Sequence, residues 1–333
     1  MGSGPALNKR PIVIAHRGAS GYLPEHSLAA KALAHGMGAD FLEQDIVLSK
    51  DGVPVVLHDI HLESTTDVAV RFPKRARGDS SFYAIDFTLE ELKTLRLHER
   101  GWRDQGGQHS AFYNGRFPPQ PGLFQIPTLE EEIALIAGLD KSRQRRTGLY
   151  LEFKAPNWHA AQDYDMVRAV LDVLDDAGYL HRPGQLYLQC FDDKTLQRLH
   201  HELTSPPPLI QLIAENDWGE DSEVDYDFLR SPQGLEQVAT YAQGIGPHIP
   251  HIFRGKADDG SALLTDLVPQ AHAQGLQVHP YTLRKDELPA GVADFDELLD
   301  ILLRQAGVDG VFTDFPDLAV QYLDEQQRRD VAP

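Results

Sequence analysis

Phe41-Leu42-Glu43-Gln44-Asp45-Ile46-Val47-Leu48 is the segment on which the fold turns. It is an apolar run closed shortly afterwards by the turn pair Asp51-Gly52, and it reads as a β-strand. Alternation puts Glu43 and Asp45 on the same face of that strand. Buried carboxylates without partners are costly, so a cation or an arginine must stand beside them.

Moving outward, the same rhythm of apolar run, turn and helical pattern repeats. The runs are Ile12–Ala15, Phe41–Leu48, Leu149–Phe153, Leu186–Gln189, Leu209–Ile213, Gly244–Gly246, Gln277–His279 and Gly310–Thr313. Helical patterns alternate with them: His26–Met37, Leu129–Leu139, Met166–Ala177, Asp193–Leu203, Gln233–Gln243, Leu264–Gln274, Asp296–Ala306 and Asp317–Asp324. Thr128 with Glu131 three residues on predicts a capping box at the second of these. Eight strand–helix units predict an α/β fold, a (β/α)8 TIM barrel, although a doubly wound sheet has the same local signal.

Two features interrupt the rhythm. Asp51-Gly52 reads as a hairpin turn from which Val53–His58 runs back as an extra strand. From about 60 to 127 the chain is irregular and carries Arg71-Phe72-Pro73, Phe82-Tyr83, Phe112-Tyr113 and Arg116-Phe117. A stretch of that length predicts a functional insertion after the second strand and its hairpin. Its aromatics suit a small core of its own, a substrate wall or a subunit contact such as a homodimer's. The barrel is expected over 10–325, with a tail over 326–333. Residues 1–9, which open Met-Gly-Ser-Gly-Pro, lack a basic and an apolar region and read as a leader remnant.

Thirty-one Lys and Arg against fifty Asp and Glu leave a formal charge of −19. That field repels nucleic acid and anionic lipid surfaces, and no apolar run approaches the length of a membrane span. An anionic substrate must therefore find its cations within the site. The single cysteine, Cys190, permits no intrachain disulfide and reads as a small buried apolar group.

The chemistry-bearing residues fall at strand ends: His16-Arg17-Gly18, Glu43-x-Asp45, His58-Asp59, Glu152-x-Lys154, Gln189-x-Phe191, His279-x-Tyr281 and Thr313-Asp314. In a barrel these ends converge at the C-terminal mouth. Three carboxylates (Glu43, Asp45, Glu152) make an oxygen site for a hard cation, Ca²⁺ or Mg²⁺. His16 and His58, on different strands, suit a general acid and a general base. Arg17 and Lys154 would offset charge on phosphate oxygens. The set points to phosphoryl transfer from a small anionic diester. His26 divides between a structural role and orienting the loop after the first strand.

The blocks His16-Arg17-Gly18-Ala19-Ser20-Gly21-Tyr22-Leu23-Pro24-Glu25-His26-Ser27, Leu42-Glu43-Gln44-Asp45 and Val56-Leu57-His58-Asp59 resemble the signatures of the glycerophosphodiester phosphodiesterase family. Tyr83-Ala84-Ile85-Asp86-Phe87-Thr88, His279-Pro280-Tyr281-Thr282 and Phe312-Thr313-Asp314-Phe315-Pro316-Asp317 resemble its bacterial periplasmic branch. The resemblance implies metal binding by Glu43, Asp45 and Glu152, with Ca²⁺ ahead of Mg²⁺, and acid–base roles for His16 and His58. It implies phosphate contacts from Arg17 and Lys154, and an approach of Gln189, Phe191 and Tyr281 to the glycerol. It further implies a glycerophosphodiester substrate and a periplasmic location. Phe153 departs from it, because a more polar or β-branched lining residue is expected there. Two rivals remain: a phospholipase-type enzyme forming a cyclic phosphate, which needs an apolar rim, and a non-catalytic glycerophosphodiester-binding barrel, which is expected to lack a histidine or a carboxylate.

Overall fold

Each apolar run becomes a strand in the computed structural model, which describes residues 10–103, 109–117 and 122–331. The first three strands are β1 (Ile12–Ala15), β2 (Phe41–Leu48) and β3 (Pro54–Val56). The insertion contributes β4 (Gly101–Arg103) and β5 (His109–Ala111). There follow β6 (Gly148–Phe153), β7 (Leu186–Cys190), β8 (Leu209–Ile213), β9 (Gly244–Pro247), β10 (Phe253–Lys256), β11 (Ala262–Leu264), β12 (Gln277–Val278) and β13 (Gly310–Thr313). Eight of them lie parallel in the order β12-β9-β8-β7-β6-β2-β1-β13. The ends of that path meet, because Asp309 N–H donates to Val278 O (3.0 Å) and Phe312 N–H to Pro280 O (3.1 Å). The sheet is a nearly closed barrel, not an open doubly wound sheet.

Alternation divides every strand between two environments. Leu42, Ile46, Leu48, Leu149 and Leu151 face outward into the main apolar core beneath the helices. Ile14, Phe41, Tyr150, Ile210 and Phe312 face inward and fill the barrel floor. Phe153, expected as an odd lining residue, belongs to the outward set and lines nothing. A Cβ on Gly148 would sit 2.1 Å from the Phe41 ring, so the floor needs a glycine there. Tyr150 stacks on Tyr187 at 4.8 Å and meets Phe312 edge-on at 4.9 Å. Its hydroxyl bonds His279 Nδ1 at 2.9 Å and that of Tyr187 bonds Gln277 Oε1 at 3.1 Å, so both phenols are satisfied.

The insertion has its own core, in which Leu62, Val68, Phe82, Phe87, Leu92 and Leu97 pack with Val47 and Val55 of the barrel strands. Its two ends are stitched together, with Val56 N–H donating to Pro127 O (2.9 Å) and Val55 bridged to Thr128. The capping box of Thr128 and Glu131 starts helix Leu129–Arg143 at that seam.

Several boundaries differ from the periodicity. The pattern Leu264–Gln274 is helical only over Leu267–Ala273, because Ala262–Leu264 pairs with Phe253–Lys256 as an antiparallel ribbon. Asp296–Ala306 divides into helix Phe295–Leu299 and a π-helical stretch Asp300–Ala306. The extra strand expected over Val53–His58 is ladder-paired only over Pro54–Val56. The last helix runs Pro316–Val331, so most of the expected tail continues it.

Candidate active site

The first turn is built by backbone conformation. Arg17 (φ 57°) and Gly18 (φ 86°) are consecutive left-handed residues that turn the chain sharply after β1. A Cβ on Gly18 would lie 2.9 Å from the Ala30 backbone, so only glycine lets this turn pack on the first helix. The turn aims Arg17 N–H at Glu43 Oε2 (2.8 Å) and leaves the Arg17 guanidinium on Glu25 at 3.0 and 3.1 Å.

Glu43 and Asp45 project inward from β2, and Glu152 from β6. One oxygen from each of the three lies within 4.8 Å of the others, and all three residues are buried. Burial, then the charges of Asp45 and Glu152, push the Glu43 carboxyl well above its ordinary range. Burial raises Glu152 to about 8 despite the opposing pull of Lys154, whose Nζ donates to it at 2.6 Å. Asp45 goes the other way, since the His26 contact at 2.7 Å outweighs its burial. His26 is thereby a positioning residue for Asp45. A cluster that favours its carboxylates protonated is one that a cation would restore to full charge. Asp45 Oδ1 and Gln189 Oε1 are buried and have no hydrogen-bond partner, which leaves both oxygens open to such a cation. The donor set fits a hard divalent ion.

Both histidines are paired with aspartates. His16 Nδ1 lies 2.5 Å from Asp314 Oδ1, and His58 Nδ1 is hydrogen-bonded to Asp59 Oδ1. The Nδ1 contacts leave each Nε2 to the cavity: that of His16 is 3.8 Å from Glu43 Oε2, and that of His58 is 3.4 Å from Lys154 Nζ. Burial, helped by the Arg17 charge, lowers His16 to about 4 and His58 to about 3. Both rings are neutral at pH 7 before an anion arrives.

A single cavity of about 460 Å³ is lined by His16, Arg17, Glu43, Asp45, His58, Glu152, Lys154, Gln189, Phe191 and Tyr281. The structure thus brings together every residue singled out as a candidate. Phe191 meets Tyr281 edge-on at 6.1 Å and carries Lys154 Nζ over its face at 5.4 Å. The same lining includes Trp218, Glu220 and His248, which give part of it aromatic and acidic character. His248 also belongs to a second acid–histidine group, with Glu215 and His251. Its Glu215 is already engaged by His251 (2.8 Å) and Arg230 (3.2 Å).

Sequence reasoning named Asp59 and Asp314 at strand ends without assigning them roles, met Glu25 and Arg116 only within longer stretches, and missed Arg100 and Arg284 altogether. The dipeptide His58-Asp59 was a usable signal. Arg100 and Arg116 lie in the irregular insertion, where no periodicity indicates direction.

The barrel and its mouth define a phosphoric diester hydrolase of the TIM-barrel type, and comparison with known proteins agrees. Residues 16–318 match the model of the glycerophosphoryl diester phosphodiesterase family. A glycerophosphodiester phosphodiesterase of Haemophilus influenzae is 41% identical over 94% of this chain and 89% of its own length. One of Treponema pallidum is 37% identical over 95% and 93%. The structure of an Oleispira antarctica phosphodiesterase in complex with the product sn-glycerol-3-phosphate superimposes with a TM-score of 0.61, at 25% identity over 94% of this chain and 97% of that one. The chain belongs to the glycerophosphoryl diester phosphodiesterase family and is an enzyme of it. No helix among the described residues is long and apolar enough to cross a membrane.

Proposed function

We propose that the chain hydrolyses glycerophosphodiesters to sn-glycerol 3-phosphate and an alcohol, with His16 and His58 exchanging the protons. The observation that carries this reading is the pair of histidine–aspartate contacts opening on one cavity beside the carboxylate cluster. Each aspartate holds the Nδ1 proton and so leaves Nε2 as the working nitrogen. One Nε2 accepts the proton of the attacking oxygen as it bonds to phosphorus. The other, protonated, gives its proton to the alkoxide as the second P–O bond breaks. The attacking oxygen is water's, or the glycerol 2-hydroxyl's, in which case water opens the cyclic phosphate by the same exchange in a second step. Lowered proton affinity keeps the base unprotonated and free to accept, and the anionic phosphodiester raises the affinity of both rings when it binds.

Arg17 and Lys154 supply positive charge beside the phosphate oxygens, where low dielectric strengthens it. Glu43, Asp45 and Glu152 would hold a divalent cation, with Ca²⁺ favoured by the all-oxygen set and Mg²⁺ the alternative. When bound, that ion supplies electrostatic stabilisation of charge growing on the phosphate. Phe191, Tyr281 and Gln189 shape the glycerol side.

The test is release of glycerol 3-phosphate from glycerophosphocholine before and after exhaustive chelation, with Ca²⁺ and Mg²⁺ added back separately. Loss on chelation with recovery on Ca²⁺ is expected. Full turnover by protein shown analytically to be metal-free would refute the metal part, and no turnover under any condition would refute the substrate.

A further inference from the structure

Behind each aspartate that holds a histidine stands an arginine from the insertion. Arg100 Nη1 donates to Asp59 Oδ2 at 2.5 Å, an oxygen that Ser64 Oγ also reaches at 2.9 Å, opposite the oxygen that takes His58. The rest of its fork is bidentate on Glu25, at 2.9 and 2.7 Å, and Glu25 in turn holds Arg17. One guanidinium thus fixes both the His58 pair and the arginine beside the phosphate position. Arg116 repeats the device on the other side. Its Nη2 lies 2.8 Å from Asp314 Oδ2, and its fork closes on Asp286 at 2.9 and 2.8 Å. Arg284, from the barrel itself, shares Asp314 Oδ2 at 2.8 Å.

A carboxylate held at only one oxygen can swing about its Cβ–Cγ bond and carry the imidazole with it. Held at both, it presents a fixed lone pair to Nδ1, and the ring follows. Arg75 and Arg77 of the insertion are placed differently: Arg75 pairs with Glu91, and Arg77 with Asp86.

We propose that Arg100 and Arg116 are positioning residues for the phosphodiesterase reaction: through Asp59 and Asp314 they hold His58 and His16 with Nε2 facing the substrate. The insertion then completes the catalytic apparatus and does more than roof it. The proposal rests on the acid–base reading of the two histidines.

The experiment compares Arg100→Gln, Arg116→Gln, the corresponding Lys variants and the control Arg75→Gln in the full chain. Two substrates are used: glycerophosphocholine and the 4-nitrophenyl ester of glycerol 3-phosphate, whose phenolate leaves without needing a proton. On glycerophosphocholine, kcat should fall about 10- to 100-fold in both Gln variants with KM within threefold. The Lys variants should recover part of it, and Arg75→Gln should keep the wild-type value. On the nitrophenyl ester one Gln variant should regain near-normal kcat and the other should not, because only one histidine protonates the leaving group. If a Gln variant does not fold, its Lys partner stands in, since an ammonium cannot span two carboxylates as the fork does.

Folded variants with kcat within twofold of wild type would overturn the proposal. So would equal losses on both substrates in both variants, or a change in KM alone. His16→Ala and His58→Ala run alongside: if they retain kcat, the acid–base reading has failed, whereas if they lose it while the arginine variants do not, only the positioning has failed.

Discussion

The inside of the barrel is two molecules stacked on the same strands. In the lower layer Ile14, Phe41, Tyr150 and Phe312 pack as an apolar floor. Two residues further along the same strands stand His16, Glu43, Glu152 and Asp314, all buried and all ionisable. A rise of about 6.8 Å separates groups that hold the barrel shut from groups that strain it. In the floor, side chains interdigitate and the hydroxyl of Tyr150 is satisfied. In the layer above, Glu43 and Glu152 are buried beside the charge of Asp45 without enough counter-charge of their own from the chain. The pair teaches that stability and activity need not be separated by domain; one turn of the pleat is enough.

That contrast can be broken by exchanging which layer is damaged. In the upper layer, His16→Ala and His58→Ala should each reduce kcat by about 10²-fold or more. Their melting temperatures should stay within a few degrees of wild type, as read by parallel calorimetry. In the floor, Tyr150→Ala should cost about 3–5 kcal/mol by denaturant unfolding, because a stacked and fully buried ring leaves a cavity. A floor variant that kept its stability, or a histidine variant that unfolded, would erase the distinction.

His279 sharpens it, since it is the titratable group of the floor. Burial lowers its proton affinity to about 4 from an ordinary 6.5, so the folded ring is neutral where the unfolded one would charge. The associated stability is complete above pH 6.5 and is lost as pH falls towards 4, a change of about 3 kcal/mol. Urea unfolding of His279→Gln should show a flatter pH dependence than wild type across that window. An unchanged slope would mean that the floor does not contribute to acid sensitivity.

The smallest effect expected is also the most diagnostic. Glu43→Gln keeps the shape of the side chain and removes one of three mutually repelling carboxyls. Without added metal this variant should be more stable than wild type, by less than any of the changes above. With Ca²⁺ added, wild type should gain in melting temperature and the variant should not. If the variant is less stable in chelator, the strain assigned to the upper layer is not there.

Much of the barrel was legible because its strands carry strong alternation, and the strand-end residues followed from it: Glu43 and Asp45 share a face by the pleat alone. Boundaries failed where tertiary pairing overrode local pattern. Ala262–Leu264 has a helix-compatible sequence but is pulled into a ribbon by Phe253–Lys256. Phe153 was misjudged by one step of alternation, since a lining position and an outward one differ by a single residue. Arg100 and Arg116 were illegible for a different reason: their direction depends on how a 60-residue-scale excursion folds back, and no periodicity encodes that.

The seam of that excursion has a consequence of its own. Val56 and Pro127 are hydrogen-bonded neighbours, and Val55 bridges Thr128, so the chain leaves the barrel and re-enters at almost the same point. For a loop whose ends are pinned together, doubling its length costs only about 0.6 kcal/mol. The barrel is therefore nearly indifferent to how much chain is carried between these residues. A longer or shorter segment would leave the strand registers intact, provided that it still covers Val47 and Val55 and still delivers cations to Asp59 and Asp314. The junction is a socket: the scaffold tolerates any plug that fits, and the chemistry decides which plugs are kept.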